Sequence, residues 1–64
     1  MSDFKNRLQI EHNELHEKIE KLQAFITGKK FAEVDSFQQD LLIVQLSCMT
    51  TYLSVLGMRL NNLN

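Results

Sequence analysis

The sequence predicts an all-α protein: a two-helix antiparallel hairpin, one domain over residues 1–64, that assembles with copies of itself into a helical homo-oligomer. Three observations predict it. Two stretches carry apolar residues at alternating spacings of four and three, and one short break separates them. The second stretch is also apolar on more sides than one partner helix can cover.

Size sharpens the third point. A chain of 64 residues sits near the margin of stability, because a small domain buries little of its surface. Such chains are usually held by disulfides, a metal or oligomerisation. Cys48 is the single cysteine, so no disulfide forms within the chain, and no Cys/His cluster suggests a structural zinc. Self-assembly is what remains.

The first helix is expected over about residues 3–27. Ser2 or Asp3 can cap its N-terminus. Leu8, His12, Leu15, Ile19, Leu22 and Ile26 follow at spacings of 4, 3, 4, 3 and 4, which is one seam of a coiled-coil-like helix. Glu14–Lys18 and Glu17–Lys21 stand in the favourable order for i,i+4 pairs, each worth roughly 0.2–0.5 kcal/mol. Gly28 suits the residue after the helix, where a left-handed backbone costs it nothing, and Lys29 and Lys30 suit the negative end of the helix dipole.

A loop is expected over residues 28–36 and the second helix over about 37–63. Ser36-Phe37-Gln38-Gln39 reads as a capping box. Leu42, Leu46, Met49, Leu53, Leu56, Leu60 and Leu63 repeat the seam of the first helix at 4, 3, 4, 3, 4 and 3. Beside it lies a second apolar stripe: Phe37, Leu41, Val44, Cys48, Tyr52 and Val55. A third face is small and weakly polar: Ser47, Thr50, Thr51, Ser54 and Gly57. Only Asp40 and Arg59 carry charge between Phe37 and Asn64, so this helix is expected to be buried on most sides by other chains.

Seven basic and eight acidic residues give a net charge of −1, with no general attraction for long nucleic acid or an anionic membrane. The first residues lack the apolar core of a secretory signal, so cytoplasmic residence is expected. Leu41–Met58, eighteen residues without charge, meets the lower length limit for a membrane span. Gln45, Ser47, Thr50, Thr51 and Ser54 lie within it, there is no tryptophan belt, and the companion helix is amphipathic. A helix buried in an oligomer is the better reading.

Catalytic signatures are not found. His12 and His16 stand one turn apart, but Glu14 is displaced from the zincin spacing and no third ligand is evident. His12 on the apolar seam reads as a hydrogen-bonded core or interface residue. The glutamates of the first helix read as a solvated face. No enzyme activity, metal or cofactor is expected.

Lys5, Arg7 and Arg59 stand out. An antiparallel hairpin brings the start of the first helix beside the end of the second. These three cations then gather at the open end, near Phe4 and Asn61-Asn62. The N-terminal amides of the first helix also favour anions there. Both solubilising charge and an anion site fit this pattern.

Asn6-Arg7-Leu8, the Glu14-Leu15…Lys18-Ile19…Lys21-Leu22 run and the Met49-Thr50-Thr51-Tyr52-Leu53…Arg59-Leu60 stretch resemble a family of small phage proteins. These are the anti-CBASS and anti-Thoeris sponges that share a helical hairpin domain. The resemblance implies a protein that binds cyclic oligonucleotide or cyclic ADP-ribose-type immune messengers without degrading them, in the cytoplasm of an infected bacterial host. It also implies assembly from dimers up to hexamers, with ligand sites between chains. Longer members carry an N-terminal aromatic that stacks on a base, followed by a lysine that aligns with Gln9. In this sequence the resemblance leaves those roles to Phe4 and Lys5, or to Tyr52 from a neighbouring copy. The ligand-binding set the resemblance implies is Phe4, Lys5, Arg7, Thr51, Tyr52 and Arg59. The rival reading is a helical oligomeric module whose apolar second helix binds a host or phage protein. A third is a purely structural oligomer.

Overall fold

The computed structural model describes residues 2–63. Helix α1 spans Ser2–Ile26, a 3-10 turn spans Lys29–Glu33, and helix α2 spans Ser36–Asn62. The two helices form an antiparallel hairpin, a rod of 46 × 15 × 13 Å. Its radius of gyration is 14.6 Å, where a globular domain of this length would have about 11 Å. Among the described residues there is no strand.

The alternating spacings place one apolar stripe of each helix against the other. Leu8, Leu15 and Ile19 from α1 and Leu56 and Leu60 from α2 are buried, and Leu46, Met49 and Leu53 pack against them. Leu56 is fully enclosed. Burying a leucine completely is worth about 1.5–3 kcal/mol. The second seam ends at Leu60 rather than Leu63. Leu63 follows the last helical residue, donates its N–H to the Leu60 carbonyl at 3.1 Å, and is exposed.

The turn is built differently from the sequence expectation. Gly28 has φ −89° and ψ 172°, an extended backbone open to any residue. What needs glycine there is space, since a β-carbon would lie 3.1 Å from the Ala24 carbonyl oxygen. The cap of α2 is Asp35, whose carboxylate accepts from the Gln38 N–H at 3.1 Å, and not Ser36. Gln39 does not close a capping box. Its amide reaches back to the Phe31 and Val34 carbonyls at 2.8 and 2.9 Å and clamps the 3-10 turn onto α2. Phe31 in turn meets Phe25 edge-on, with ring centroids 6.1 Å apart.

Helix α1 already includes Ser2 and Asp3, so Asp3 is not its capping residue. Asp3 instead pairs with Arg7 at 3.3 Å. The Glu14–Lys18 and Glu17–Lys21 pairs do not form, and one turn apart on the same helix His16 Nδ1 lies 3.3 Å from the Glu20 carboxylate. Pairs on an exposed helix face are worth only tenths of a kcal/mol, so water competes with them. His12 also departs from expectation: its Nδ1 is buried with no hydrogen-bond partner among the described residues. It faces Gly57, where a β-carbon would stand 4.0 Å from His12 Nε2.

The rest of α2 is left uncovered in a single chain. Phe37, Leu41, Val44, Cys48, Tyr52 and Val55 are all exposed. Thr50, Thr51 and Ser54 turn their hydroxyls inward, donating to the carbonyls four residues earlier at 2.7, 3.1 and 3.2 Å. The donors of those three hydroxyls are therefore taken, while their oxygens can still accept. By length and composition alone, α2 is long and apolar enough to cross a membrane.

Candidate binding site at the open end

Phe4, Arg7, Leu8 and Glu11 stand at i, i+3, i+4 and i+7 on α1 and share one face. The antiparallel pairing sets Arg59, from the last turn of α2, against that face. Together they line an open cleft of about 330 Å³. This is near the small end of the range for ligand pockets, roughly 300–1,000 Å³.

The cleft combines an aromatic ring with charge. The Arg59 guanidinium carbon lies 6.0 Å from the centre of the Phe4 ring, a cation–π arrangement. Arg7 is held by Asp3 one turn below it, with both side chains well exposed. Leu8 forms the apolar floor, where the cleft meets the core. Glu11 accepts a hydrogen bond from the Tyr52 hydroxyl. That contact links Tyr52 to a residue that lines the cleft and occupies part of a carboxylate that would otherwise oppose an anion.

Of the six residues implied by the resemblance, Phe4, Arg7 and Arg59 come together in the cleft, and Tyr52 contacts its lining through Glu11. Lys5 is exposed and does not line it. Thr51 does not line it either, and its hydroxyl is bonded to the Ser47 carbonyl. Gln9, at the position of the family lysine, is exposed and donates to Asn13 at 3.0 Å. Glu11, one of the glutamates expected on a solvated face, lines the cleft instead. Its place was legible in its spacing, seven residues after Phe4 and four after Arg7. Among the described residues no group of three or more His, Cys, Asp and Glu could hold a metal ion.

This arrangement suits recognition. Two guanidiniums can grip phosphate oxygens with charge-assisted bonds, and an exposed phenyl ring can stack on a base. No curated protein and no solved structure matches the chain. The family comparison does give a match, and it extends over nearly the whole hairpin: residues 2–62 fit the Sequestin family, and the chain belongs to that family.

Proposed function

We propose that this protein is a phage anti-defence sponge. It binds a cyclic nucleotide immune messenger in the cytoplasm of the infected bacterium and holds it intact. The family name points to sequestration as the general activity. The observation that carries the finer reading is the open-end cleft, where Phe4, Arg7 and Arg59 place an aromatic face beside two guanidiniums. A cyclic oligonucleotide offers bases to the first and phosphates to the second. The role needs no catalysis, since a bound messenger is withdrawn from its receptor by mass action alone. Self-association is part of the reading: one cleft of about 330 Å³ is small for such a ligand, and clefts paired across copies enclose more of it.

The test is titration calorimetry with cyclic dinucleotides, cyclic trinucleotides and cyclic ADP-ribose isomers, followed by chromatography of the released ligand. The expected result is binding of at least one class, recovered unaltered. Compared at matched oligomer size, Arg59→Ala is expected to weaken that binding by roughly 10- to 150-fold, about 1.5–3 kcal/mol, with helical content unchanged. A panel without binding, or a ligand returned cleaved, defeats the proposal. Equal affinities for wild type and variant remove Arg59 from the site.

A further inference from the structure

The exposed stripe of α2 has a period of its own. Its members are Phe37, Leu41, Val44, Cys48, Tyr52 and Val55, and Arg59 continues the same line. The spacings are 4, 3, 4, then 4, 3, 4, which is an eleven-residue repeat from Phe37 to Cys48 to Arg59. The inner seam of the same helix repeats every seven residues. A seven-residue repeat winds helices left-handed, whereas eleven residues at about 3.67 per turn keep a stripe nearly straight or slightly right-handed. The stripe is therefore patterned as a second helix-packing surface with its own geometry. It is also symmetric about Cys48, next to the middle of Ser36–Asn62.

We infer that α2 packs against α2 of a second copy in antiparallel orientation, with the two-fold axis at Cys48. The inference deepens the self-association in the reading above and does not depend on the messenger. In this register Cys48 meets Cys48, Val44 meets Tyr52, Leu41 meets Val55, and Arg59 meets Phe37.

Area is compatible with this occupant, and charge selects its orientation. A folded monomer of 7.5 kDa is expected to expose about 4,200 Å². This chain exposes 5044 Å². The excess is about 800 Å², which is what each partner of a standard-size complex buries. The charges of α2 lie toward opposite ends, Asp40 near its start and Arg59 near its end. Antiparallel pairing brings Arg59 of one copy to the first turns of the other, beside Asp40, whereas parallel pairing sets like charge against like. The inward-turned hydroxyls of Thr51 and Ser54 leave few unmet donors along the flank.

One consequence reaches the open end. Arg59 lines the cleft, so Phe37 of the second copy arrives at the same place. The arginine then lies between Phe4 of its own chain and Phe37 of the other. Phe37 is 65% exposed in a single chain and has no other evident use.

The experiment is site-directed cross-linking of the full chain with a short bis-maleimide, alongside sedimentation. Wild type should yield a covalent dimer through Cys48. In a Cys48→Ser background, chains carrying Leu41→Cys should cross-link to chains carrying Val55→Cys. Neither should cross-link to itself, because antiparallel pairing separates the two Leu41 positions by about fourteen residues, or 21 Å. Self-linking of Leu41→Cys overturns the register while leaving self-association standing. A wild-type monomer in sedimentation overturns both. A dimer with no linkage at Cys48 and none between Leu41→Cys and Val55→Cys places the interface elsewhere and overturns the inference, whether the stripe then faces a different protein or a bilayer.

Discussion

The two helices of the hairpin are nearly equal in length, 25 and 27 residues, and opposite in surface. Helix α1 spends one apolar stripe on α2 and turns charge outward, with Glu14, Glu17, Lys18 and Lys21 all exposed. Helix α2 spends one stripe on α1 and turns a second outward, with Phe37, Leu41, Val44 and Val55 exposed. A hairpin needs only one stripe per helix. The difference therefore separates two surfaces: the inner seam closes the fold, and the outer stripe of α2 stays uncovered in the single chain, where the proposed pairing would cover it.

The sharpest way to break that division is to truncate a leucine on each side of α2. Leu56→Ala removes the fully enclosed side chain and is expected to cost about 2–5 kcal/mol, enough to unfold much of the protein. Leu41→Ala on the outer stripe is expected to cost under about 0.5 kcal/mol in dilute solution. Its cost should grow with protein concentration as the stripe becomes covered. Circular-dichroism melts at two concentrations check both. Equal costs at high dilution would merge the two surfaces into one.

The closed end supplies the next effect. Gln39 ties the 3-10 turn to α2 through two carbonyls at 2.8 and 2.9 Å. Gln39→Ala is expected to lose about 1–2 kcal/mol, read as faster amide exchange at Val34 and a lower melting point. Unchanged exchange there means the turn is held by the Phe25–Phe31 contact alone.

Within the inner seam, His12 is the one position that works against closure. Its Nδ1 is buried without a partner, so His12→Leu is expected to raise stability by about 1 kcal/mol in urea unfolding. A loss instead would show that assembly supplies the missing partner.

The smallest effect compares the two glycines. Gly57→Ala gains helix propensity, about 1 kcal/mol, and its methyl meets only His12 at ordinary contact distance. Gly28→Ala pushes a methyl to 3.1 Å from a backbone carbonyl. The first variant should be the more stable by about 1 kcal/mol in thermal unfolding.

The inner seams were legible because helical periodicity is local: spacings of three and four put Leu8, Leu15, Ile19, Leu56 and Leu60 on the buried faces whatever lies elsewhere. The gathering of Phe4, Arg7 and Arg59 followed from antiparallel pairing alone. The turn was not legible in the same way. Asp35 and Ser36 are both competent caps, and which one serves depends on where the 3-10 turn delivers the chain. Gln39 could close a capping box or clamp a turn, and only the position of the Phe31 carbonyl chooses.

The sequence by itself determined the helix count, the inner seams and the surplus of apolar surface on α2, since each is a repeat within one segment. Only the tertiary structure decided that Glu11 takes the Tyr52 hydroxyl, that Lys5 and Thr51 stay out of the cleft, and that His12 is closed in without a partner. Those outcomes depend on the relative height and rotation of two helices, set jointly by side-chain packing and the length of the turn, and no spacing along a single helix encodes them.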